Sequence, residues 1–189
     1  MSLAVRPVRE PPLRPGSLLY CANQSIRGVL ARAGLDPHTR AGTAIWLVLS
    51  AAVLVLAWFG MRRARAASDD AWALSLNAFA ALLISPISWS HHWVWAAPAL
   101  LLLAVRGLQD KNRALLAAAL TGLAVFAAGP QWWFPHTENR EAHWAAWEQV
   151  IGGSYVILAA VILLISACRN DANKTLGTRG EPRSSRAIA

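Results

Sequence analysis

Two adjacent imidazoles, His91 and His92, stand in "SPISWSHHWVWAAPALLLLA", residues 85–104, between stretches otherwise suited to lipid. A neutral imidazole takes a proton from an alcohol, and a protonated one donates to a phosphate oxygen. Trp89, Trp93 and Trp95 flank the pair, and Ser85, Ser88 and Ser90 place hydroxyls beside it. The bland alternative is a pair of interfacial histidines bonded to loop carbonyls and water. The surrounding indoles and hydroxyls favour a site for a substrate with a polar head and an apolar tail. His91 and His92 are therefore the candidate catalytic residues, with Ser88, Trp89 and Trp93 as substrate contacts. Asn23 and Gln24 in "CANQS" are a second candidate set. Adjacent amides suit a hydroxyl-rich substrate, although Asn23 or Ser25 would equally cap a helix. No metal or other cofactor is expected. Adjacent histidines on a helix point apart and lack a third ligand at helical spacing; His136 and His143 are the nearest additions. Cys21 and Cys168 belong to no CxxC pattern.

The elements that must carry these residues are apolar. The chain has 189 residues, 56% of them hydrophobic, and no Asp, Glu, Lys or Arg between Ala71 and Val105. An unpaired charge in hydrocarbon costs several kcal/mol, so such a run points to a membrane. An all-α, multi-spanning membrane protein with about five transmembrane helices is expected, over 42–61, 71–88, 91–106, 114–130 and 149–168. The run 71–105 is the informative one. Two full crossings need about 40 helical residues, and Pro86 interrupts the run. A short hairpin follows, with Asp69, Asp70 and Arg106 at its base and the histidine tip recessed toward the interface.

Residues 1–16 are rich in proline and arginine and read as disordered. Residues 17–41 form an outer amphipathic segment, with Ile26, Val29, Leu30 and Ala33 at helical spacing. Residues 42–168 are the transmembrane domain, and 169–189 a basic cytoplasmic tail. No cleavable leader is visible, so the first span is expected to direct insertion. The net charge of +8 resides largely at the ends of apolar runs. That placement fixes orientation in a membrane and argues against nucleic acid. Arg62, Arg63, Arg65, Arg106, Lys111 and Arg113 fall on the cytoplasmic side if the first span runs inward. Six arginines ahead of that span conflict with this orientation, and the conflict suggests a missing beginning. Most of the ten tryptophans suit an aromatic belt. Trp144, Trp147 and Ile151 are expected on one face of an interfacial helix.

"NQSIRGVLAR" followed by "SPISWSHHWVW" resembles the C-terminal half of glycosyltransferase family 87, the polyprenol-phosphate-mannose-dependent α-(1→2)-mannosyltransferases of actinobacteria. The resemblance covers roughly Leu19 to Cys168. It implies a C-type glycosyltransferase-like fold, a polyprenyl phosphate mannose donor and an envelope glycolipid acceptor. It places the site on the extracytoplasmic side of the plasma membrane. His91 and His92 would face donor phosphate and acceptor, with Asn23 and Gln24 lining the same cavity. Family members are about twice as long and keep an essential acid in an N-terminal half. The chain is therefore expected to be inactive, or active only with a separately encoded N-terminal half. The rival reading is a non-catalytic membrane interaction or scaffold subunit. A transporter is disfavoured, because no charge lies within a span.

Overall fold

A computed structural model describes residues 18–36, 38–138 and 140–168. The segment 1–16, expected to be disordered, and the expected cytoplasmic tail 169–189 lie outside the described residues. Within them the chain is helical: α1 (Ile26–Arg32), α2 (Arg40–Ala66), α3 (Asp70–Ile84), α4 (Ala96–Gln109), α5 (Arg113–Ala128), α6 (Ala146–Gly152) and α7 (Ser154–Cys168). Short 3-10 turns occupy Ser90–Trp95, Pro130–Trp132 and Arg140–His143.

Five full crossings are not what the helices provide. Among the described residues, only α2 and the stretch Arg113–Trp132 are long and apolar enough to cross alone. A third crossing arises if α6 and α7, bent by 67° at their junction, count as one broken span. The reduction has a local cause around the histidines. Ser85 ends α3 in an extended conformation ahead of Pro86, and a 3-10 turn takes up Ser90–Trp95. That leaves α3 with 15 residues and α4 with 14. At ~1.5 Å per residue each is about 22 Å long, short of the ~30 Å hydrocarbon core.

The base of this hairpin is pinned electrostatically. Asp69 accepts the Trp72 N–H as the N-cap of α3, and its carboxylate meets Arg106 of α4 at 2.6 Å. The Arg106 guanidinium also lies 5.5 Å from the Trp72 ring centre. One end of the bundle therefore carries Arg62, Arg65, Asp69 and Arg106. The other carries the histidine turn, the segment 18–36 and the loop after α5.

Lipid is as apolar as leucine, so helices in it associate through close packing more than through water exclusion. The core obeys this. Ala57, Ala99 and Ala159 are essentially inaccessible and let Leu76, Phe79, Leu83 and Leu163 interdigitate. Gly60 admits Leu76 of α3 and Ser166 of α7 against α2; a Cβ there would lie 3.0 Å from Leu76. Gly107 and Gly122 bring α4 and α5 together against Leu116 and Leu100. Tyr155 of α7 donates to the Phe126 carbonyl of α5 at 2.9 Å, closing the bundle with a polar contact.

Ser25 caps α1 by accepting the Gly28 N–H at 3.0 Å. The helix does not simply lie on a surface. Gly28, Ala31 and Arg32 are buried, and Gly28 packs so closely on Asn23 that an added Cβ would meet the Asn23 carbonyl oxygen at 2.5 Å. The outer aromatic face expected for Trp144, Trp147 and Ile151 is also divided. Trp144 precedes α6, is buried against Gly152 and donates to the Pro135 carbonyl, whereas Trp147 is exposed. Asn77 makes no interhelical bond of the kind its position in a span suggests; its side chain lies at the exposed face of α3.

Candidate functional site

The turn that presents the histidines is held from outside the hairpin. Asn23 Oδ1 accepts the Ser88 N–H at 3.0 Å, while its Nδ2 donates to the Leu18 and Pro86 carbonyls. The Gln24 N–H donates to the Ser88 carbonyl at 2.7 Å, and Asn23 and Trp89 form an antiparallel bridge. Ser25 Oγ donates to the Pro86 carbonyl, and Ser88 Oγ to that of Leu82 at 2.6 Å. Gln24 Nε2 reaches the other way, to the Cys21 and Gly152 carbonyls. Residues 23–25 are fully buried. Their polar groups supply partners to a backbone turn that Pro86 removes from helix, where unsatisfied groups are costly.

This latch leaves the imidazoles free. His91 and His92 are exposed, their rings 4.4 Å apart and edge-to-face. The His92 N–H bonds the Trp89 carbonyl at 2.8 Å and fixes the tight turn. Trp93 turns inward beneath them, packed on Phe79, Phe126 and Tyr155.

A cavity of about 540 Å³ opens beside the turn, between α4 and α5. Ser90 and His91 stand at its polar end; Leu100, Leu101, Leu120 and Leu123 form apolar walls, and Trp93, Phe126 and Tyr155 also line it. The sequence-derived set thus separates. His91 and Trp93 line the groove. His92 is adjacent but does not line it. Asn23, Gln24, Ser88 and Trp89 support the turn, and the two amides do not line this cavity.

Sequence reasoning missed a polar cluster behind the latch. Arg32 is 1% exposed and donates through Nη1 to the Tyr20 and Asn23 carbonyls at 3.2 and 2.9 Å. Its guanidinium lies 5.7 Å from the Trp144 ring centre. Burial pulls Arg32 down to about 10, against the opposing effects of Cys21 and Glu141. Glu141 is also 1% exposed, and neither carboxylate oxygen has a hydrogen-bond partner among the described residues. Gln149 ties the two segments together, donating to the Arg32 and Glu141 carbonyls at 2.9 and 3.4 Å. The available signal was the charged "TENREAH" between two apolar runs.

The thiols of this region can be distinguished. Burial first, and then the negative charge of Glu141, push Cys21 from 9.0 up to about 12, with Arg32 acting the other way. Cys168 is exposed. Thiolates rather than thiols react. Maleimide at pH 8 is expected to modify Cys168 in the detergent-solubilised protein and Cys21 only after unfolding. Equal labelling rates would contradict the buried placement of Cys21. As pH rises past 9.0, the unfolded thiol ionises while the folded one does not, so this group's contribution to stability falls until about 12.

Among the described residues no group of three His, Cys, Asp or Glu side chains is arranged to hold a metal ion. His136, a conceivable contributor, lies 2.9 Å through Nδ1 from the Phe134 carbonyl.

Residues 13–86 match the sequence profile of Glycosyltransferase family 87. A polyprenol-phosphate-mannose-dependent alpha-(1-2)-phosphatidylinositol mannoside mannosyltransferase of Mycobacterium tuberculosis is 33% identical over 162 residues. Over residues 13–86 the chain is similar to glycosyltransferase family 87. The identically described protein of Mycolicibacterium smegmatis is 36% identical over 159 residues. These alignments take in 86% and 80% of this chain but only 37% and 35% of the relatives, so the chain spans just over a third of their length. A polyprenol-phosphate-mannose-dependent alpha-(1-2)-phosphatidylinositol pentamannoside mannosyltransferase of Mycobacterium tuberculosis is 39% identical over 90 residues, 45% of this chain and 19% of that protein. No solved structure matches. The family 87 match begins at residue 13, earlier than the Leu19 start inferred from the sequence. It ends at Pro86, so it contains the latch residues 23–25 and stops before the histidines.

Proposed function

We propose that this chain forms the lipid-donor side of a membrane mannosyltransferase that uses polyprenyl phosphate mannose and an envelope glycolipid acceptor. The observation that carries the reading is the apolar groove between α4 and α5 with Ser90 and His91 at its polar end. A prenyl chain fits between leucine and alanine walls, and the phosphate then meets a hydroxyl and an imidazole, both able to donate to its oxygens. The transfer is a substitution at the anomeric carbon. An acceptor hydroxyl attacks the anomeric carbon, the bond from that carbon to the phosphate oxygen breaks, and polyprenyl phosphate leaves with the electron pair while the hydroxyl proton passes to it. His91 stabilises the leaving phosphate; His92, exposed on the far side of the ring pair, faces the acceptor. The donor and acceptor classes are those named for the mycobacterial relatives. Because the chain spans just over a third of those relatives, turnover requires the remaining transferase sequence, joined to it or supplied separately. The arginine-rich end sits in the cytoplasm and the histidine end outside the plasma membrane, following the positive-inside rule.

Donor retention tests this directly. Purified full chain in detergent is expected to retain radiolabelled polyprenyl phosphate mannose. Ala97→Trp, which fills the groove from its exposed wall, is expected to weaken retention by roughly ten-fold or more, about 1.4 kcal/mol. No retention by the native chain would favour the scaffold reading. Undiminished retention by the variant would place the donor elsewhere.

A further inference from the structure

The opposite end of the bundle holds a second cavity, of about 900 Å³, along the α2–α3 pair. Its rim carries Arg62, Arg65 and Asp70, all exposed, and its wall includes Trp58 and Leu74, each 63% exposed. Asn77 lies deeper in the same groove. It is seven residues beyond Asp70 on α3, a rise of about 10 Å. α2 has the length and composition of a membrane span, so this geometry runs from the headgroup level into hydrocarbon. Arginines at a span end ordinarily reach for water and the general surface charge. Asn77 demands more. A carboxamide on a lipid-facing wall, inward of the charged rim, is costly unless a polar group accompanies it into the groove.

We infer that the α2–α3 groove binds one anionic phosphodiester lipid, with its phosphate between Arg62 and Arg65 and its glycerol esters at Asn77. The acyl chains run along Trp58 and Leu74. Two guanidinium groups and one carboxylate leave the rim with a single net positive charge, which complements a phosphodiester better than a doubly charged monoester. The neighbouring carboxylate, Asp69, does not compete for these arginines, since it is paired with Arg106. The site lies at the other end of the bundle from His91 and does not depend on the transfer reaction.

Native mass spectrometry of the full chain in detergent, titrated with phosphatidylglycerol or phosphatidylcholine, tests this. Phosphatidylglycerol is expected to bind roughly ten- to thirty-fold more tightly, the increment of two interfacial arginines. Arg62→Gln with Arg65→Gln should abolish that preference. Lys111→Gln with Arg113→Gln, at exposed positions in the α4–α5 turn, should preserve it. Asn77→Leu should weaken both lipids while leaving the lipid-free melting temperature unchanged or higher. Equal binding of the two lipids overturns the proposal. So does an equal loss in the Lys111/Arg113 variant, which would mean generic surface charge. A shift in lipid-free oligomeric state on changing Arg62 and Arg65 would give the groove to a second copy and also overturn it.

Discussion

Arg32→Met is expected to lower the stability of the detergent-solubilised protein by about 1.5–3 kcal/mol, the range for hydrogen bonds made by a charged group. The guanidinium is inaccessible, feels the charge of Glu141, and donates to two carbonyls that order residues 20–23. Methionine keeps much of the volume but leaves the Glu141 carboxylate buried without its counter-charge. The double variant Arg32→Met with Glu141→Leu separates the two losses. It should recover part of the deficit, because it also removes a buried carboxylate that has no hydrogen-bond partner among the described residues. What it cannot recover is the pair of bonds to Tyr20 and Asn23. Denaturant unfolding followed by tryptophan fluorescence measures both variants. A double variant no more stable than Arg32→Met alone would show that the hydrogen bonds, and not the charges, dominate.

His91→Ala should reduce mannosyl transfer by roughly 10²–10³-fold, the range for loss of one donor aimed at charge that develops in the transition state. The measurement uses the chain together with the remaining transferase sequence. His92→Ala should cost less than about ten-fold on the same scale, because His92 does not line the groove. His91→Gln, which keeps a hydrogen-bond donor for the phosphate, should recover part of the loss, which a merely misfolded turn would not allow. Equal losses at the two positions would remove the groove's claim to orient the reaction.

Much of the fold was legible because lipid imposes simple rules. The uninterrupted apolar run 42–61 had to become α2, and the length of 71–105 with Pro86 inside it left only short helices around a turn. Asp69, Asp70 and Arg106 flanked that run, and Asp69 pairs with Arg106. The bend at Gly153 was not legible, since 149–168 reads as one apolar stretch whether straight or broken. The groove was equally hidden. Leu100, Leu120 and Leu123 look the same in sequence whether they face lipid or a cavity. Asn23 and Gln24 were singled out for their chemistry, but the groups that occupy them, at Pro86, Ser88 and Gly152, are distant in the chain. Arg32 read as an orientation marker because sequence alone does not reveal that a charge near a span is buried.

The bond from Gln24 to the Gly152 carbonyl spans 128 positions. The residue that completes the break before α7 leaves the ribosome early; the carbonyl it must meet leaves late. Residues 21–25 therefore wait, unsealed, while α1 to α6 are made behind them. The histidine end cannot close until Gly152 has been made, and a chain interrupted before that residue never shuts that door.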